Sequence, residues 1–206
     1  MANDVSVHFG KFISHLNNLD KTRRKMEALL KRGVIVRRDI EQVYEGLFIS
    51  STTSLENWIE NLFIGLIVGR IEHPSSLVVP RVSIKSDRIA REVTFGGRSY
   101  LDWLPYKKYT VKRAEAFFRN GLPFTNLDKK DIKQLEILYT VRNAIAHKSS
   151  YSISLFEREL IGSIPLTQQE RKPAGFLRSV FRITPSQTRY ENLIAEMVST
   201  VKKLCI

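Results

Sequence analysis

Cysteine, long apolar runs and acidic side chains are all scarce in this sequence. Its 206 residues include one cysteine, Cys205, so no disulfide can form within the chain and no cysteine-based zinc site can be built. The longest apolar stretch, residues 62–69, is far shorter than the roughly twenty residues of a membrane-spanning helix. The N-terminus carries Asp4 and His8 where a signal peptide has a basic and then an apolar segment. We therefore expect a soluble protein of the reducing cytoplasm, with no membrane partner.

Positive charge is the main compositional bias. Lysine and arginine total 33 against 21 aspartates and glutamates, which gives a net charge of +12. Residues 1–69 carry +1, residues 70–120 carry +6 and residues 121–206 carry +5, so the excess lies in the last two thirds. Such a field favours phosphate-rich partners, nucleic acid first and anionic membrane second. Charge alone does not separate nucleic-acid binding from an incidental basic surface.

Apolar side chains at three- and four-residue spacing predict five helices and no sheet. The predicted helices cover residues 4–30, 39–68, 110–119, 125–148 and a segment that starts at Thr184. Gly33 separates the first two, which we expect to pack antiparallel. Thr184, Pro185 and Gln187 have the residue types of a capping box with proline in the first turn. The chain is short enough for a single domain over residues 1–206, so we predict an all-α fold, a helical bundle.

Residues 71–108 break the helical pattern. Prolines and glycines interrupt short apolar runs, such as residues 77–79 and 93–95, that would form small strands. We interpret this segment as a long, basic, mostly irregular insertion between the second and third helices. A loop of this length in a compact domain is functional or mobile. Residues 150–183 also read as loop, with a short helix over residues 155–160.

The helix predicted over residues 125–148 carries an apolar stripe beside a polar one. Arg142 lies on the apolar stripe, where it needs a partner or a groove because an unpaired buried charge costs several kcal/mol. Asn143 and His147 are four residues apart and share the polar stripe. Arg142 and His147 are five residues apart, about 140 degrees on an ideal helix. One copy of this helix therefore does not aim both side chains at one phosphate.

The segment Arg142-Asn143-Ala144-Ile145-Ala146-His147 resembles the active motif of HEPN-type ribonucleases. That motif is an arginine, a polar residue, three further residues and a histidine near the end of a helix. Two long antiparallel helices before the motif and a further helix after it also resemble the HEPN-like helical bundle. The resemblance implies a homodimer whose two motifs meet in a cleft, which would bring the arginine and histidine of both chains together.

The resemblance further implies an endoribonuclease that needs no metal ion and no cofactor. In such enzymes the ribose 2′-hydroxyl attacks the adjacent phosphate and leaves a cyclic phosphate and a 5′-hydroxyl end. His147 would act as general acid or base, Arg142 would bind and stabilise the scissile phosphate, and Asn143 would orient one of them. The family context implies a toxin or antiviral defence effector that acts on RNA, with an antitoxin or regulatory protein as a further partner.

Charged residues outside the motif are candidates for supporting roles. Glu56 or Glu60 on the second helix would orient Arg142, or both belong to a solvated face. The aromatic and basic stretch over residues 98–113 suits base stacking and phosphate contact, although core packing also explains its aromatic side chains. We expect His8 and His15 at the surface. The candidate RNA-binding side chains are Lys107, Lys108, Lys112, Arg113, Lys148 and Arg178.

Two other interpretations stay open. In one, the chain is a non-catalytic HEPN-like module that binds RNA or a nucleotide, with the insertion covering the cleft. In the other, it is a helical scaffold in which Arg142 pairs with a carboxylate of its own bundle and His147 caps the last carbonyls of its helix. An Arg142 paired within its own chain would favour the scaffold.

Overall fold

The computed structural model describes residues 3–162 and 164–206, and most of them are helical. Helices account for 66% of the chain, which confirms the predicted all-α class. The described residues form eight α-helices: α1 (Val5–Lys31), α2 (Arg37–Ile67), α3 (Asp87–Phe95), α4 (Lys112–Phe117), α5 (Lys129–His147), α6 (Ser150–Phe156), α7 (Pro173–Arg178) and α8 (Arg189–Lys203). Within those residues, none of the helices combines the length and apolarity needed to cross a membrane.

The long helices lie close to their predicted positions. Gly33 and Gly69, which follow α1 and α2, have φ angles of +71° and +70°, a left-handed backbone that glycine adopts without steric cost. The motif helix α5 begins at Lys129, after a reciprocal cap between Asp128 and Asp131. Lys203 binds both oxygens of Asp131 at 2.7 and 2.8 Å, so the start of α5 is anchored to the end of α8.

The insertion over residues 71–108 is more ordered than predicted. Residues 93–95 belong to α3 and residues 77–79 to no strand, so the small strands expected there are wrong. Ser86 caps α3 by accepting a hydrogen bond from the Ile89 amide at 3.4 Å. Two short strand pairs occur elsewhere: β1 (Asn3–Asp4) runs parallel to β2 (Ile71–Glu72), and β3 (Val180–Arg182) runs antiparallel to β4 (Gln187–Thr188).

The C-terminal region differs most from the prediction. Residues 150–183 contain α6, continued by a π-helical turn over Glu157–Ile161, and α7. Thr184 and Pro185 lie between β3 and β4, so the predicted helix start there is wrong. The capping box sits four residues later: Thr188 Oγ1 accepts from the Glu191 amide at 3.2 Å, and Glu191 accepts from the Thr188 amide at 2.8 Å. Thr184-Pro185 and Thr188-Arg189 both have residue types that begin helices. The first pair lies in the turn between β3 and β4, and the second begins α8.

Contacts divide the chain into two compact units. Unit 1 comprises residues 3–13, 54–136 and 198–206, and unit 2 comprises residues 14–53 and 137–197. In the core of unit 1, four aromatic rings pack 5.0–5.6 Å from the Phe63 ring; they belong to Trp103, Phe117, Phe118 and Phe124. In unit 2, Tyr190 packs against Tyr44 and Phe48. The single domain over residues 1–206 stays a prediction.

Candidate active site around Arg142 and His147

The last two turns of α5 position the motif side chains in unit 2. Val141, Ala144 and Ile145 are buried, and they fix this stretch of helix against the core. Arg142 and Asn143 are half-buried, and His147 is exposed as the last residue of the helix. The sequence therefore holds the backbone of the motif in place while it leaves the imidazole open to solvent.

Arg142 has no carboxylate partner among the described residues. Its Nη1 donates a hydrogen bond to Asn143 Oδ1 at 2.9 Å, and no other described residue forms a hydrogen bond or ion pair with its side chain. An amide oxygen orients a guanidinium without cancelling its charge, and the guanidinium retains further N–H donors. The scaffold interpretation requires a carboxylate partner for Arg142, and the described residues supply none.

The hydrogen bond also changes the direction of the guanidinium. Successive residues of a helix do not face each other, so a bond to Asn143 draws the Arg142 side chain away from its own apolar stripe. Asn143 shares a face with His147, four residues on. The guanidinium is therefore drawn toward the helix face that carries Asn143.

His147 lies at a sharp change of chain direction. The residue after it, Lys148, has a φ angle of +49°, and Ser149 caps α6 by accepting a hydrogen bond from the Ser152 amide at 3.2 Å. No side chain of the described residues forms a hydrogen bond with the imidazole, so Asn143 holds the arginine and not the histidine. Lys148 pairs with Glu45 at 3.1 Å with its side chain 67% exposed, and such a surface pair leaves the ammonium accessible to a phosphate.

Arg178 has a structural role. Its Nε and Nη2 donate to the two carboxylate oxygens of Glu27 at 2.9 and 3.2 Å, and Tyr44 donates to the same carboxylate at 3.0 Å. The bond to Glu27 raises the pKa of Arg178. A phosphate would have to compete with Glu27 for this guanidinium, and RNA binding by Arg178 stays a prediction. Residues 27, 44 and 178 are far apart in the sequence, and no local sequence pattern predicts that they are in contact.

Glu60 is engaged within unit 1. It accepts a hydrogen bond from Trp103 Nε1 at 3.1 Å and pairs with Arg91 of α3. Glu60 therefore links two parts of the insertion, α3 and the segment around Trp103, to α2. Glu56 lies one turn earlier and is half-buried. Glu60 thus has two partners of its own, and the orienting role of Glu56 or Glu60 stays a prediction.

The aromatic and basic stretch separates into core and surface. Trp103 and Tyr106 are buried and cannot stack on bases, whereas Tyr100 is exposed. The Arg113 guanidinium lies 4.6 Å from the centre of the Trp103 ring, and burial lowers its pKa, so Arg113 is part of this packing. Lys107, Lys108 and Lys112 are exposed and remain the candidates for phosphate contact in this segment.

The described residues include no group of three or more His, Cys, Asp or Glu side chains that is arranged to hold a metal ion. We compared the sequence with protein-family models and curated proteins and the structure with solved structures, and none of them matches the chain.

Proposed function

We propose that this protein is a HEPN-type endoribonuclease that cleaves RNA without a metal ion. The observation that carries the proposal is Arg142, a half-buried arginine that, within the part of the chain the structure describes, is held by an amide and not by a carboxylate. An unneutralised guanidinium in a partly desolvated position binds phosphate strongly, because both its charge and its donors are available. The exposed His147 follows five residues later on the same helix.

The reaction is an internal transesterification. The ribose 2′-oxygen bonds to the adjacent phosphorus, the bond to the 5′-oxygen breaks, and the products are a 2′,3′-cyclic phosphate and a 5′-hydroxyl. One proton leaves the 2′-hydroxyl and one reaches the departing 5′-oxygen, and His147 serves one of these transfers. Arg142 stabilises the charge that develops on the phosphoryl oxygens. In a homodimer the second His147 serves the other transfer, with the scissile phosphate in the cleft between the two motifs.

The test is incubation of purified protein with a mixed RNA pool and mapping of the cut ends. We expect cyclic phosphate and 5′-hydroxyl ends, with cleavage that persists in excess chelator and falls by about 10²- to 10⁴-fold in His147→Ala. RNA cleavage by Arg142→Ala should fall by a comparable factor. Arg158→Ala is the matched control, because Arg158 is an exposed arginine of the same unit. Cleavage that survives in both motif variants would refute the assignment.

A second candidate is a non-catalytic RNA- or nucleotide-binding module. It is favoured by one observation: the His147 imidazole has no hydrogen-bond partner among the described residues, whereas general bases are commonly oriented by a neighbouring group. This candidate predicts RNA binding that survives His147→Ala, with no cyclic phosphate ends from the unaltered protein. A role as a toxin or defence effector, held in check by an antitoxin, belongs to the first candidate alone. The toxin or defence role predicts that expression of the protein arrests growth and that this arrest disappears in Arg142→Ala.

A further inference from the structure

A groove of about 350 Å³ lies between α1 and α2 in unit 1. Its α1 wall comes from His8, Lys11 and Phe12 and its α2 wall from Ser54, Asn57, Trp58 and Asn61, with Arg70 at one end. Both walls follow the spacing of a single helix face, three and four residues apart. The groove is therefore built by two regular helices, and none of the motif residues of α5 contributes to it.

The groove is positively charged. Of the described residues that line it, Lys11 and Arg70 are cationic and none is an aspartate or glutamate. Lys11 is exposed and forms no ion pair with a described residue. Arg70 pairs with Asp87 at 3.3 Å, with both side chains 45% exposed. An exposed pair of this kind contributes about 1 kcal/mol or less, so Arg70 is free to exchange Asp87 for a stronger anion.

Two polar side chains that line the groove lack hydrogen-bond partners among the described residues. They are the Asn57 amide and the Ser54 hydroxyl, whereas Asn61 donates to the Asn57 carbonyl at 2.8 Å. These groups provide polar contacts beyond the two cations.

His8 forms a rigid wall of the groove. Its ring stacks on Trp58 with centroids 5.2 Å apart and planes inclined by 14°, and its Nε2 lies 3.1 Å from the Trp58 carbonyl. A neutral ring that donates there keeps Nδ1 as an acceptor. Burial lowers the pKa of His8, and Arg70 and Lys11 lower it further, so His8 adds no charge near neutral pH. His8, which we expect at the surface, is half-buried because its ring stacks on Trp58.

We propose that this groove binds the phosphate of a nucleotide, with Lys11 and Arg70 on the phosphate and Ser54 and Asn57 on the attached sugar or base. A volume of about 350 Å³ lies at the lower end of the range of small-molecule pockets and suits one nucleotide unit. The proposal is independent of cleavage at His147. A free mononucleotide and a nucleotide within single-stranded RNA share this chemistry.

The experiment measures binding of two probes to the full chain. One is a fluorescent single-stranded RNA with 2′-O-methyl riboses, which lacks the attacking hydroxyl, followed by anisotropy across a salt series. The other is AMP, followed by calorimetry. The test protein is the double variant Lys11→Gln, Arg70→Gln. The control is Lys21→Gln, Lys25→Gln, which removes the same two charges from exposed positions of α1. Circular dichroism and thermal unfolding verify that each variant folds.

We expect the groove variant to weaken binding about tenfold or more and to lower the salt slope of RNA binding by about 0.7 for each phosphate that it no longer neutralises. The control should weaken binding by less than about threefold. Weaker binding of both probes identifies a mononucleotide site, and weaker binding of RNA alone identifies the RNA backbone. Equal effects of groove and control variants, or no binding of either probe, would overturn the proposal. Cleavage of unmodified RNA is assayed separately. Failure of nucleotide binding by the groove can therefore be distinguished from failure of RNA cleavage at His147.

Discussion

Arg142 Nη1 donates a hydrogen bond to Asn143 Oδ1, one residue further along α5, at 2.9 Å. The bond joins the apolar stripe of the helix to its polar stripe and turns the guanidinium toward the face that carries His147. Because the acceptor is an amide, the arginine is positioned while its charge stays available. Asn143 is therefore a positioning residue for Arg142.

Replacing Asn143 separates positioning from charge. Asn143→Ala removes one hydrogen bond, worth about 1 kcal/mol, so RNA cleavage should fall about five- to tenfold. Asn143→Asp keeps an acceptor but pairs the guanidinium with a carboxylate, which competes with phosphate, so cleavage should fall further and KM should rise. The measurement is kcat and KM on a short RNA, with Asn126→Asp as an exposed control. An aspartate variant as active as the unaltered protein would contradict phosphate binding by Arg142.

Lys148 should tolerate glycine better than alanine. Its φ angle of +49° lies in the left-handed region, which costs a residue with a Cβ about 1–2 kcal/mol. Lys148→Ala and Lys148→Gly both lose the pair with Glu45, so comparing the two isolates the backbone. We expect the glycine variant to have the higher free energy of unfolding, by about 1 kcal/mol, in urea denaturation.

Lys25 provides the control for this comparison. It is exposed within α1, where glycine should be less stable than alanine by about 1 kcal/mol. The order of the two variants should thus reverse between positions 25 and 148. The same order at both positions would show that Lys148 does not hold a left-handed conformation in solution.

Glu27 should make the stability of unit 2 depend on acid pH. Burial opposes its ionisation, but hydrogen bonds from Arg178 and Tyr44 lower its pKa overall, and burial raises the pKa of Tyr44 to about 12, which keeps that donor protonated. A lowered carboxyl pKa stabilises the fold above the unfolded value of about 4.3, and the contribution is lost as pH falls through the folded value. Glu27→Gln should therefore cost about 1–3 kcal/mol at pH 7.

The measurement is chemical denaturation of Glu27→Gln and the unaltered protein between pH 3 and pH 7. The difference between their free energies of unfolding should shrink below about pH 4. Glu157→Gln, at an exposed position, is the control and should show little difference at any pH. A Glu27→Gln deficit that is constant with pH would mean that the charge of Glu27 contributes nothing.

Glu60 should act on stability and not on cleavage. Glu60→Ala leaves the buried Trp103 N–H without its acceptor and Arg91 without one of its two carboxylate partners, so unfolding should become easier by about 1–3 kcal/mol. Cleavage per folded molecule should stay unchanged in conditions where the variant is folded. If cleavage drops while circular dichroism and unfolding are unaffected, Glu60 does orient Arg142, as its place on the second helix suggests. Glu56→Ala run in parallel tests the same role one turn away.

Local signals predicted the long helices well and the short ones poorly. Apolar spacing and the flanking glycines at positions 33 and 69 placed α1 and α2 within two residues of their bounds. The hairpin that precedes α8 was missed, because Thr184-Pro185 and Thr188-Arg189 both carry cap-forming residue types. Strand pairing between β3 and β4 decides between them, and pairing is a contact between segments that helical periodicity does not report.

The sequence by itself determined the helical class, the course of α5, and the order of Arg142, Asn143 and His147 along it, because helix periodicity and end signals are local properties. Only the tertiary structure decided which hydrogen-bond or ion-pair partner each charged side chain has. Arg178 and Glu60 meet carboxylate and indole partners that are distant in sequence. Among the described residues, the Arg142 guanidinium meets one amide oxygen. A charge becomes available or occupied through its neighbours in space, and folding brings those neighbours together.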